Sequence, residues 1–157
     1  MDRSPRSRHL RKGRVSEANR IYLVTAVTRE RHRIFCDLRS GRHLIRSLMT
    51  EQKLGRARTL AFVVMPDHFH WLLQLQEGAS LSKVVRTIKS VTAHRLGGPV
   101  WQDGFHDRAL RWEEDLVAAA RYLVANPRCA LGWCRGWGII PIGMLFGWSS
   151  PALWTVA

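Results

Sequence analysis

Two histidines one residue apart, His68 and His70, fall in a run that reads as a strand. Tyr122, one of only two tyrosines in the chain, lies four residues before Asn126 in a run that reads as a helix. Strand side chains alternate between faces, so both imidazoles point to one side at a spacing that a metal ion can bridge, while Phe69 and Trp71 point to the other. Helical residues four apart stack on one face, which allows the Asn126 amide to be a third ligand with Tyr122 beside it. The expected site is assembled from two elements: His68, His70 and Asn126 hold the metal, and Tyr122 is the nucleophile. Mixed nitrogen and oxygen ligands suit Mg2+ or Mn2+, although imidazoles also bind zinc, nickel and copper.

The elements that must position these residues follow from the apolar pattern. Ile21 to Val27 is β-branched and apolar at strand length, and Leu38, Leu44, Ile45, Leu48 and Met49 recur at helical spacing between Asp37 and Leu54. Leu60–Met65 and His68–Leu75 flank the turn residues Pro66 and Asp67 and predict a hairpin. Ser80 can cap a helix with the stripe Leu81, Val84, Val85, Ile88 and Val91, ended by Gly97, Gly98 and Pro99. Val100 to Arg111 reads as another strand. A last helix runs from about Glu113 to Asn126, stopped by Pro127. If Leu116, Ala120, Leu123 and Val124 form its buried stripe, Tyr122 and Asn126 lie near the opposite side. The order β-α-β-β-α-β-α predicts an α+β fold of the ferredoxin-like split βαβ kind. It pairs an antiparallel sheet with helices on one face, a C-terminal helix carrying the tyrosine, and a free sheet face for a ligand.

A chain of 157 residues with 46% apolar composition supports one domain with a real core. Its boundaries are expected at 1–19 for a basic arm, 20–127 for the folded domain and 128–157 for an atypical tail. The net charge of +13 and pI near 11.3 point to a polyanion, with nucleic acid the obvious candidate. Residues 1–20 alone carry seven Lys/Arg against two acids, and Arg8, Arg11, Lys12 and Arg14 are candidate phosphate contacts there. Lys83, Arg86 and Lys89 mark a second basic face. His106, Arg108, Arg111 and Arg121 lie near the proposed site and suit phosphate pairing. His94 and His106 are candidate extra metal or phosphate contacts. Trp71, Trp101 and Trp112 are candidate base-stacking platforms, core packing being the expected role of Trp71 and of Tyr22. No apolar run reaches the roughly 20 residues a spanning helix needs, and no secretory h-region opens the chain, so a cytoplasmic location is expected. Cys36, Cys129 and Cys134 form no C-x-x-C pair and receive no role.

Metal polarisation of a nonbridging phosphate oxygen would let a phenol, whose ordinary pKa is about 10, attack phosphorus and expel a 3′-hydroxyl, leaving a 5′-phosphotyrosine. Three separated segments carry a family resemblance in keeping with that chemistry: Val64 to Leu73 (VMPDHFHWLL), Trp101 to Arg111 (WQDGFHDRALR) and Ala120 to Pro127 (ARYLVANP). They resemble, in order, the motifs of the REP-associated tyrosine transposases, relatives of the single-strand insertion-sequence transposases with an HUH motif and one catalytic tyrosine. The resemblance implies a ferredoxin-like catalytic domain acting on single-stranded DNA hairpins near palindromic repeats, as a monomer or homodimer. It implies metal ligation by His68 and His70, with Asn126 third, and catalysis by Tyr122.

After Arg128 the chain departs from the family's ending, which continues with Arg-Ala-Gly-Leu-Val and a Gly-Asp-Tyr-Pro turn. Residues 129–157 instead hold four tryptophans and no acid. Back-translated with permitted codons and read from the third base, 129–148 can spell an ending of the family's kind. The expectation is a net frame slip near Pro127 to Cys129 that spares Tyr122 and Asn126. Two other functional classes compete with a nicking transposase: a noncatalytic single-strand nucleic-acid binder and an inactive transposase remnant.

Overall fold

Alternate residues of Ile21–Val27 (β1) are buried, because Tyr22, Val24 and Ala26 face a helix layer while Ile21, Leu23 and Thr25 face the other side of the sheet. The structure, a computed structural model, describes residues 16–110, 116 and 118–123. The basic arm through Val15, Arg111, Trp112, Asn126 and the tail therefore lie outside the described residues.

The elements after β1 are two short 3-10 turns, Arg29–Arg31 and Ile34–Cys36, then α1 (Leu38–Lys53), β2 (Ala57–Met65), β3 (His68–Leu75), α2 (Leu81–Arg95) and β4 (His106–Ala109). The strands form one antiparallel sheet in the order β2-β3-β1-β4, the α+β, ferredoxin-like arrangement that the element order predicts. Leu44 and Leu48 of α1 and Val84, Val85 and Ile88 of α2 close over Phe69, Trp71, Leu73 and Leu75. Trp71 is fully buried and its indole N–H donates to Thr59 Oγ1 at 3.2 Å, so it is a core residue. Tyr22 is likewise buried, its hydroxyl accepting from the Glu17 N–H.

Several boundaries differ from expectation. β2 begins at Ala57, three residues before Leu60, because a register irregularity between Thr59 and Ala61 breaks the alternation that would reveal its start. β4 covers only His106–Ala109: Trp101 turns into the core, and Gly104 adopts φ +75°, which ends extended pairing. Asp37 caps α1 by accepting from the N–H groups of Arg39 and Ser40. Ser80 makes no such side-chain bond at α2, where the Leu81 N–H donates to Ser16 Oγ.

The second sheet face is also not wholly free. Residues 116 and 118–123 are helical, and Leu123, Ala119, Leu116 and Ala120 pack with Leu72 and Leu110 over Ile21 and Leu23. This small second core lies on the histidine side of β3 and brings the tyrosine to the site.

Candidate functional site

β3 is a central strand whose register fixes the site. Directly opposed residues of antiparallel strands share a face. His70 stands between Thr25 of β1 and Val63 of β2, and His68 between Val27 and Met65. The two imidazoles project on the side away from α1 and α2, with ring centres 4.9 Å apart and planes near perpendicular. On the helical segment, the stripe through Leu123 and Ala119 is buried while Tyr122 is 55% exposed, as the predicted stripe requires. Its ring nevertheless stands 6.0 Å, centre to centre, from that of His70. The spatial convergence of imidazole pair and phenol is therefore present in the fold.

Each imidazole has one nitrogen engaged. His70 Nδ1 lies 2.7 Å from Thr25 Oγ1, and His68 Nδ1 lies 2.6 Å from Asp67 Oδ1. With Nδ1 engaged on each ring, Nε2 is the nitrogen that could take a cation, the arrangement in which outer-shell partners hold metal-ligating histidines. With each Nδ1 carrying the proton, His70 donates to the threonine hydroxyl and His68 to the carboxylate. Burial, and then the neighbouring His68 charge, push the His70 pKa down to about 4, so its ring is neutral at physiological pH and its lone pair is available. Burial opposes ionisation of Asp67, but hydrogen bonds from His68 and Arg31 outweigh it and hold the carboxyl below its usual range.

Sequence reasoning named neither Thr25 nor Asp67 for these roles. Asp67 adjoins His68 and was legible only as a turn residue, whereas Thr25 becomes visible once β1 is placed opposite β3. Arg31 was also missed. It reaches Asp67 Oδ2 from Nη1 at 3.1 Å.

The other expected residues divide by location. His106 opposes Thr25 and Arg108 opposes Leu23, so both lie on the histidine face, and both are exposed. Arg121 is exposed beside Tyr122. Among the described residues no three His, Cys, Asp or Glu side chains group as metal ligands, so neither His106 nor His94 extends the pair in that way. Lys83 and Arg86 are exposed on α2, in the layer across the sheet from the histidines. Lys89 departs from its expected role: its ammonium donates to the carbonyls of Gln102 (2.7 Å) and Gly104, fastening the loop before β4. Trp101 is also withdrawn from base stacking, being buried with its indole N–H on the Lys89 carbonyl. Arg8, Arg11, Lys12, Arg14, Arg111, Trp112 and the expected third ligand Asn126 lie outside the described residues.

A ferredoxin-like sheet with two imidazoles and a phenol on one face has the parts of the HUH single-tyrosine class. The family model described as "Transposase IS200 like" matches residues 17–107, and the chain belongs to that family of IS200-like transposases. It is similar to a solved REP-associated tyrosine transposase bound to a REP hairpin, with 25% identity over 76% of this chain and 73% of that one and a TM-score of 0.67. A crystal structure of a candidate transposase from Deinococcus radiodurans R1 shares the fold at 23% identity, with 74% and 96% covered and a TM-score of 0.52. No curated protein sequence matches the chain. Among the described residues no helix is long and apolar enough to cross a membrane.

Proposed function

We propose that this transposase cuts and rejoins single-stranded, hairpin-forming DNA through a 5′-phosphotyrosine on Tyr122, with a divalent cation held by His68 and His70. The observation that carries the reading is the approach of the Tyr122 ring to His70 across the junction of two elements, 6.0 Å between centres. The similar structure bound to a REP hairpin supports hairpin DNA as the substrate, and the charge of +13 suits a polyanion.

The chain's residues divide the work. Asp67 and Thr25 hold the Nδ1 atoms of His68 and His70 so that Nε2 of each would hold the cation, and Asn126, outside the described residues, would be the third donor. Mg2+ or Mn2+ held there would supply charge neutralisation to the phosphate under attack. The Tyr122 oxygen bonds to phosphorus as its proton passes to solvent, the bond from phosphorus to the 3′-oxygen breaks, and that oxygen takes up a proton. Reversal with another 3′-hydroxyl rejoins the strand. The small apolar core around Leu72 and Leu123 holds the helical segment that carries Tyr122 against the sheet, which reduces the ordering left for the reactive encounter. His106 and Arg108, exposed on the histidine face, and Arg121, exposed beside Tyr122, take phosphates of the strand that crosses that face. Arg111, one residue past the described Leu110, joins them as a phosphate contact; Lys83 and Arg86 on the far side of the sheet, and the arm residues Arg8, Arg11, Lys12 and Arg14, supply further contacts to the DNA backbone.

The test is cleavage of a 5′-labelled hairpin-bearing single strand. Cutting should require Mg2+ or Mn2+, stop with EDTA, and disappear in Tyr122→Phe. Binding of the strand by the wild type with no cleavage in either Mg2+ or Mn2+ would leave a noncatalytic DNA binder.

A further inference from the structure

Glu30 and Arg31 are consecutive non-glycine residues in the left-handed region, at φ +52° and +54°. Such conformations are costly and persist only where surrounding contacts enforce them. Here the enforcing contacts converge on one turn. The Thr28 N–H donates to the Asp67 carbonyl at 2.8 Å, its hydroxyl is shared between that carbonyl (2.8 Å) and the carbonyl of His32 (2.7 Å), and the Phe35 N–H donates to the Pro66 carbonyl at 2.9 Å. The segment between these anchors is short, and the left-handed pair turns the Arg31 side chain onto Asp67.

Asp67 consequently spends one oxygen on each neighbour, Oδ1 on His68 and Oδ2 on Arg31. The Asp67 side chain is 20% exposed, whereas that of Arg31 is 67% exposed. A surface ion pair of this kind contributes little to stability by itself. It is a poor reason to hold two residues in a strained conformation. A guanidinium has five N–H donors, and one bond to Asp67 leaves the outward edge available for a planar, two-point contact.

We propose that Arg31 is a positioning residue that also holds substrate: through Asp67 it fixes the His68 ring, and with its outward N–H groups it takes a phosphate of the bound strand next to the histidine pair. The inference rests on the reading of the site as a cation-assisted DNA-cutting centre. It gives that centre a coupling, because a phosphate on Arg31 and the orientation of His68 are linked through one carboxylate.

Two measurements that do not read turnover test it. The first is Mn2+ affinity of the DNA-free protein, followed by electron paramagnetic resonance. Arg31→Gln should weaken it by about fivefold, below the 10–100-fold typical of losing a direct outer-shell partner. The second is hairpin binding in EDTA by proteins that also carry Tyr122→Phe, measured across salt concentrations. The same substitution should reduce the slope of log affinity against log salt by about 0.7, the value of one phosphate contact on a single strand. Arg31→Gly, which accepts the positive φ without strain, should reproduce both changes with unaltered or raised thermal stability and serves if the glutamine variant folds poorly. Either readout remaining at the wild-type value overturns the proposal. Wild-type protein that binds neither Mn2+ nor the hairpin would sink the functional reading as well, whereas a competent wild type with indifferent Arg31 variants would sink this inference alone.

Discussion

Acidification should destabilise the metal-free protein through His70 in a way that can be isolated. The ring's pKa falls from 6.5 to about 4 on folding, because burial and then the neighbouring His68 disfavour its charged form. Between those values the unfolded chain holds a proton at this position that the folded chain does not, so stability declines as pH drops through the interval and levels off below it. At 1.36 kcal/mol per pH unit the full gap corresponds to about 3 kcal/mol. Water reaching the partly exposed ring reduces this to about 2 kcal/mol. The assay is urea unfolding in EDTA, followed by tryptophan fluorescence, for wild type and His70→Gln across the interval. Other titrating groups contribute to both curves, and the difference between them reports His70. Wild type should lose about 2 kcal/mol more than the variant on going from neutral pH to the lower end. Parallel curves would show that the fold does not hold the ring neutral, and the argument that its Nε2 is ready to coordinate would fail with it.

Leu123→Ala should cost about 2–3 kcal/mol, the lower part of the range for a buried leucine, since Leu116 and Ala120 are only partly buried and can settle into the gap. Because that packing holds the tyrosine segment, cleavage should fall tenfold or more; unchanged cleavage in the destabilised variant would contradict the positioning role. Lys89→Met should remove about 1–2 kcal/mol of stability by stripping a charged donor from two carbonyls, with no change in the salt dependence of DNA binding. A reduced salt slope in that variant would return Lys89 to the DNA contacts.

The parts of the fold that repeat with a clear period were legible in the residues. His68–Leu75 has the boundaries expected of it, with Trp71 in the core and the histidines on the other face, because alternation alone decides both. The tyrosine's exposure followed from the helical stripe. What was hidden depends on contacts between distant segments. The irregularity at Thr59 and Ala61 masks the start of β2, and the strand expected over 100–111 shrinks to His106–Ala109 because a lysine on α2 and the buried Trp101 claim the preceding loop. In the site, residue type and spacing gave the imidazole pair and the phenol. The hydroxyl behind His70 required the β1–β3 register, and Arg31 required a backbone conformation that nothing in its side-chain chemistry announces. Lys89 looked like its neighbours Lys83 and Arg86, and only its orientation toward Gln102 and Gly104 separates it from them.

The central claim is that the phenol beside the histidine pair becomes covalently joined to DNA. Incubation with a hairpin-bearing single strand and Mn2+, denaturation, protease digestion and mass spectrometry of the DNA-linked peptide test it directly. The account predicts a 5′-phosphate attached to the peptide containing Tyr122, and none in Tyr122→Phe. A cut strand with no linked peptide, or a link at Tyr22 or any other residue, would contradict it.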